Sequence, residues 1–253
     1  MAKAALGHQG VMPLVGHLSE LRRALVISSA AFIAAAGALM FYANQILKFL
    51  LIPLYELHVT PIQVRPMEYL FVMLKIVTIG GVVVALPVIL WQVYWFIKPA
   101  LKPHEVRSMF LLVPVVVLLF GCGVVFAYLT AYKVALRFLV LLGEGVAVPY
   151  ISISEFINFT ISFLLPFGLI FEMPIAALLL TRLGIVTPSY LASKRKYAFF
   201  VAFLAAIILI PDPSLLTQSI LAVPMYLLFE VSVFLSRLVH RQRRQAEVLA
   251  EPA

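Results

Sequence analysis

The chain has 253 residues, 64% of them hydrophobic and only 12% charged, with a mean hydropathy of +1.08. A soluble domain carries about 45–50% apolar and about 25% charged residues, so this composition excludes a water-soluble fold and specifies an integral membrane protein. The net charge of +8 does not point to nucleic acid, because Lys and Arg cluster between apolar runs, and the single Cys122 excludes an intrachain disulfide and a cysteine-based zinc site.

Six apolar runs approach the roughly 20 residues that a spanning helix needs: about 24–47, 69–97, 108–130, 155–181, 196–210 and 215–236. They predict an all-α integral membrane protein, one domain of six transmembrane helices over 1–253 with a short charged tail at 237–253. About 20 residues, including "HLSELRR", precede the first run and no small-residue cleavage site follows it, so it reads as a retained span and not a signal peptide.

Between the first two runs, Leu51–Glu68 is punctuated by Pro53, Pro61 and Pro66. After the third, "YKVALRFLVLLGE" has the pattern of an amphipathic interfacial helix. Prolines at 87, 114, 166 and 174 predict interruptions of the second, third and fourth spans, and hence a curved bundle. The fifth run, Tyr197–Ile210, reaches only about 21 Å as a helix, against a hydrocarbon core of about 30 Å. Only Pro211–Ser214 separates it from the sixth, which begins with Thr217, Gln218 and Ser219, so the two form a tight hairpin that thins the bilayer or borders a polar cavity.

Fourteen Lys and Arg fall on one side of these spans: in the N-terminus, the second loop, the fourth loop and the tail. Only Lys48, Arg65, Lys133 and Arg137 fall on the other. The positive-inside rule then places both termini in the cytoplasm.

Two acids stand among those cytoplasmic cations. "HLSELRRAL" carries His17, Glu20, Arg22 and Arg23 before the first span, and "WFIKPALKPHEVR" carries Glu105. Each acid is expected in a first helical turn, where a carboxylate complements the helix dipole, and Pro103 marks such a start for Glu105. The same pair suits a ligand with adjacent arginines, because guanidinium groups bind carboxylates bidentately as lysine cannot. His17 and Glu20 resemble half of a helical metal motif whose other half is missing, so no metal or other cofactor is expected. No phosphate loop, nucleophile elbow or H-E-x-x-H occurs, which argues against an enzyme.

In "LLPFGLIFEMPIAALLL" the acid Glu172 falls near mid-membrane, about 15 Å from the inner end of its span, two residues before Pro174. A carboxylate there is costly against lipid, which predicts that it faces the short fifth and sixth helices and offers a hydrogen bond to a partner's span, with Gln218 contributing at the outer edge.

Taken together, "HLSELRRAL", "LPVILWQVYWFIKPALKPHEVR", "FGLIFEMPIAALL" and "PDPSLLTQSILAVPMYLLFEVSVFLSR" resemble, in order, the TatC family, the polytopic subunit of the twin-arginine protein translocase. The resemblance implies a multi-pass protein of the bacterial inner membrane, or its plastid counterpart, working in an oligomeric complex. It implies a receptor for the signal peptides of folded cargo proteins, with Glu20, Phe96 and Glu105 at the arginine pair and His17 and Arg22 in the same motif. It also implies TatA- and TatB-type single-span partners near Asp212, Gln218 and the fifth span, transport driven by the proton gradient, and no nucleic acid. Two features depart from the family: "HEVRS" has Arg107 alone where two adjacent arginines are common, and Leu57–Met67 matches poorly. The alternative, an ion-coupled secondary transporter, predicts a paired repeat and a compact polar site, and the sequence has neither.

Overall fold

The computed structural model describes residues 14–97, 103–142, 150–182, 184–209 and 215–250, and it is helical almost throughout. In chain order the helices are α1 (Leu14–Met40), α2 (Ala43–Glu56), α3 (Glu68–Ile97), α4 (Pro103–Ala127), a π turn (Tyr128–Tyr132), α5 (Lys133–Leu141), α6 (Ile153–Phe171), α7 (Met173–Arg182), α8 (Pro188–Ser193), α9 (Arg195–Leu209) and α10 (Leu215–Ala250).

Among the described residues, five segments are long and apolar enough to cross a membrane: Leu18–Met40, Glu68–Phe96, Leu112–Leu141, Ile153–Arg182 and Gln218–Arg241. The fifth expected run, 196–210, is α9, a helix of 15 residues, and is not among them. Its shortness is intrinsic to the sequence, since Pro211 and Pro213 follow at once.

Several expected boundaries shift. The first run breaks at Phe41 and Tyr42, whose N–H groups bond three residues back, to Ala38 (3.3 Å) and Leu39 (2.9 Å), and α2 then restarts at Ala43. The third span does not stop at 130. It passes through the π turn directly into α5, so the expected separate interfacial helix is the end of one long rod. The π turn places Tyr132 in the core, where it is fully buried and its hydroxyl donates to Thr160 Oγ1 at 2.8 Å, the Thr160 proton being committed to the Phe156 carbonyl. Helix α10 continues past Arg237 into the charged tail, as far as Ala250.

The prolines also behave unequally. Pro87, Pro114 and Pro166 lie inside α3, α4 and α6, and only Pro174 coincides with a break, between α6 and α7. Each proline removes one hydrogen bond, and in lipid the remaining backbone groups have no water to turn to, so the helix persists around it.

By packing the chain divides into two compact units, 1–47 with 70–117 and 48–69 with 118–253. In the first, α1 and α3 run antiparallel and come close at Gly81, where an added Cβ would lie 3.0 Å from Ala36 Cβ and 3.2 Å from Phe32 Cε2. In the second, a file of aromatic rings runs from Phe49 through Tyr128, Tyr132 and Phe163 to Phe167, with successive centroids 5.5–5.9 Å apart. There α4 and α6 close over two glycines: a Cβ on Gly168 would meet the Phe120 ring at 2.5 Å, and one on Gly123 the Phe167 carbonyl at 2.7 Å. Helices α7 and α10 are joined by Ser236, which donates to Thr181 Oγ1 at 2.7 Å.

Candidate functional site

From the Gly81 crossing, 16 residues back along α1 reach Glu20 and 15 forward along α3 reach Phe96. At about 1.5 Å per residue both helices have travelled some 22–24 Å in opposite chain directions, and they arrive at the same place. A cavity of about 430 Å³ opens there, lined by Glu20, Arg23, Ala24 and Ile27 from α1 and by Trp91, Gln92, Trp95 and Phe96 from α3. Positions 20, 23, 24 and 27 follow the i, i+3, i+4, i+7 pattern of one helical face, and 91, 92, 95 and 96 form the facing stripe.

Glu20 is the seventh residue of α1, which has no acid in its first turn. The dipole explanation offered by the sequence therefore does not hold for Glu20, since the effect fades beyond the first turn. It holds for Glu105, the third residue of α4, which Pro103 opens as expected. One Glu20 oxygen, Oε2, is buried. Behind it the aromatic wall is interlocked: Trp91 packs on Tyr94 with centroids 5.9 Å apart, and Tyr94 meets Trp95 edge-on at 6.1 Å. A carboxylate facing aromatic rings suits a guanidinium ion, which can hydrogen-bond with the first and stack on the second.

Two predicted residues, Glu20 and Phe96, are thus brought together. Arg22 is exposed and does not line the cavity, whereas its neighbour Arg23 does. His17 lies in α1 and Glu105 in α4, but both side chains lie outside the described ones, as Asp212 does entirely. Sequence reasoning named Arg23 beside Arg22 without choosing it and missed Trp91, Gln92 and Trp95, to which the helical spacing around Phe96 was the signal.

The intramembrane residues belong to the second unit. Glu172 stands at the α6–α7 break, its N–H bonded to Leu169 O at 3.1 Å and its own carbonyl accepting from Ala176 N at 2.9 Å as the helix resumes. Both carboxyl oxygens are buried without a hydrogen-bond partner among the described residues, beside the backbone of Phe120. Gln218, in the first turn of α10, is 5% exposed. Among the described residues no three His, Cys, Asp or Glu side chains gather as a metal site requires.

Residues 16–224 match the family TatC, described as Sec-independent protein translocase protein. The chain is 40% identical to the TatC protein of Aquifex aeolicus, covering 93% of this chain and 99% of that one. It is 36% identical to the TatC proteins of Carboxydothermus hydrogenoformans (90% and 94% covered) and of Escherichia coli K12 (94% and 93%). A crystal structure of the twin arginine translocase receptor TatC superposes with a TM-score of 0.72 at 39% identity, over 88% of this chain and 99% of that one, and a second, in DDM, gives 0.74 over 87% and 99%. With these matches the transporter alternative falls: the chain belongs to the TatC family, as an all-helical multi-pass membrane protein that is a core subunit and receptor of the twin-arginine translocase, a transport component and not an enzyme.

Proposed function

We propose that the cavity between Glu20 and Phe96 receives the arginine pair of a signal peptide, with Glu20 accepting from one guanidinium and Trp91, Trp95 and Phe96 stacking against it. The observation that supports this most is the placing of one carboxylate oxygen, buried, beside an aromatic wall in an opening of about 430 Å³. Glu105, His17 and Arg22 take part in the same recognition in this reading, with Glu105 taking the second arginine. The chain spans a bacterial inner membrane, or its plastid counterpart, six times as a single domain. Here α9 is the short fifth crossing and both termini are cytoplasmic, in keeping with the imbalance of fourteen to four cations. TatA- and TatB-type single-span subunits dock at Glu172, Gln218 and Asp212 in an oligomeric complex, and the proton gradient drives export of folded cargo.

The test is retention of two peptides by the purified chain, one bearing two consecutive arginines and the other two lysines. The arginine peptide is retained and the lysine peptide is not, because an ammonium ion cannot make the paired, planar contact. Equal retention of both refutes the receptor geometry.

A further inference from the structure

Glu68 opens α3 and is only 6% exposed. Its contacts come from two separate segments: Oε2 accepts from the N–H groups of Val64 at 2.7 Å and Arg65 at 3.1 Å, Oε1 accepts from that of Ser154 at 2.8 Å, and the Ser152 hydroxyl also hydrogen-bonds the carboxylate. Ser154 is the second residue of α6. The first turn of a helix leaves its N–H groups without intrahelical acceptors, and in α6 the acceptors can be named. Ile153 N bonds Ile62 O at 3.0 Å, Ser154 N bonds Glu68, and Glu155 N bonds the Ser152 hydroxyl at 3.1 Å. Two of these three acceptors come from residues 62–68.

The segment before Glu68 is itself held in shape. Ile62 N bonds Ile151 O at 2.9 Å, giving a parallel bridge between Ile62 and Ser152, and Gln63 Nε2 donates to the carbonyls of Arg65 (3.0 Å) and Pro66 (2.9 Å). A carboxylate is the only side chain suited to the centre of this arrangement. It accepts at both oxygens, carries the charge that strengthens each bond, and faces the positive end of a helix. A glutamine would turn an N–H₂ group toward one set of N–H donors.

We propose that Glu68 is a positioning residue for transport: it latches the segment 57–67 onto the first turn of α6 and so fixes the depth of Glu172 at the other end of that helix. Ser154 and Glu172 are 18 residues apart on one continuous helix and its cap, about 27 Å, so slack at the first is passed to the second as displacement along the axis. The proposal rests on the reading of Glu172 as a partner contact.

The experiment starts from the chain with Cys122→Ala, in which Glu68→Ala is combined with Ile62→Cys and Ser152→Cys. Bridged residues lie about 4.8 Å apart, within the roughly 4.4–6.8 Å that a disulfide spans. Glu68→Ala alone raises amide exchange at Val64, Arg65 and Ser154 and lowers transport of a folded cargo at least about tenfold, while binding of the arginine-pair peptide is unchanged. Because Ser152→Cys itself removes the hydroxyl that caps α6, transport is compared with the chain that carries Ile62→Cys and Ser152→Cys and keeps Glu68: forming the disulfide restores transport to that level, and reducing it removes transport again. The proposal is overturned by wild-type transport or unchanged exchange in Glu68→Ala, by loss of peptide binding with it, or by a disulfide that forms without restoring transport. If Glu68→Ala does not accumulate, Glu68→Gln keeps one acceptor, and a partial loss with the same rescue is expected. Failure of the receptor reading shows separately, as equal binding of arginine and lysine peptides by the parent chain.

Discussion

Arg195 and Glu230 meet at the start of α9, where Arg195 Nη2 donates to Glu230 Oε2 at 2.8 Å. The other oxygen, Oε1, accepts from the Tyr226 hydroxyl, also at 2.8 Å, and the Tyr226 ring stands edge-on to Phe199 one turn along α9, with centroids 5.6 Å apart. Three polar groups and one aromatic contact therefore set the register of a short helix against a long one. A helix of 15 residues has few turns with which to fix its own position, so such a clamp decides which of its faces meets α10.

Arg195→Ala and Glu230→Ala should each lower stability by about 1 kcal/mol, the modest figure that suits a pair with side chains 41% and 29% exposed. The double variant should lose less than the two single losses added, because the pair acts as a unit. Thermal unfolding of the four proteins in detergent measures this coupling, and strict additivity would deny it.

For the cavity, Glu20→Ala should weaken binding of the arginine-pair peptide by one to two orders of magnitude, the effect of removing a hydrogen bond to a charged group worth about 1.5–3 kcal/mol. Trp95→Ala should weaken it less, by the about 0.5–2 kcal/mol of a stacked cation. Unchanged affinity in both variants removes the cavity from recognition.

How much of this was legible in the sequence depends on which force sets each feature. Five of the six apolar runs correspond to candidate spans, since length and hydropathy decide what crosses a membrane, and Glu20 and Phe96, which the resemblance names together, line one cavity. The helix breaks were less legible. Pro87, Pro114 and Pro166 look the same as Pro174 in a sequence, and their different outcomes depend on what packs beside each turn. The π turn at Tyr128–Tyr132 had no local signal either, because the Tyr132 hydroxyl finds its partner, Thr160, 28 residues away. Trp91, and the choice of Arg23 over Arg22, were hidden for a third reason: they matter through a facing helix about 70 positions distant, a register that only the Gly81 crossing reveals.

Two neighbouring glycines of α4 should respond oppositely to one methyl group. A Cβ on Gly123 would lie 2.7 Å from a backbone oxygen, and one on Gly121 would have nothing within 4 Å. Gly123→Ala should cost about 1–3 kcal/mol, because the obstructing atom is main chain and cannot turn aside. Gly121→Ala should be neutral or stabilise by up to about 1 kcal/mol through helix propensity. Unfolding midpoints of the two variants check the crossing of α4 and α6, and equal midpoints would contradict it.

The orientation has its own test. A cysteine at Ser193, in the segment between Arg182 and Lys196, should resist an impermeant thiol reagent in intact cells and react once the membrane is opened, with Cys122 replaced beforehand. Labelling from outside would reverse the assignment of both termini.

The last expectation concerns why the chain keeps Glu172. Its two carboxyl oxygens are buried with no hydrogen-bond partner among the described residues, an arrangement that costs about 1–3 kcal/mol for an ordinary polar group. If the acid served packing alone, removing it would remove contacts and lower stability. If it is held in readiness for a polar residue of a partner's span, removing it should raise stability in detergent and damage only the assembled machine. Glu172→Leu should therefore unfold at a higher temperature than the parent, with peptide binding at the Glu20 cavity intact. Transport and cross-linking to a single-span subunit should fall together. Glu172→Gln, which keeps the shape and the hydrogen-bonding capacity, should retain most of both. The reverse pattern, a less stable Glu172→Leu that still cross-links to its partner, would assign Glu172 to the packing of α6 against α4 and leave the partner's contact to be found elsewhere.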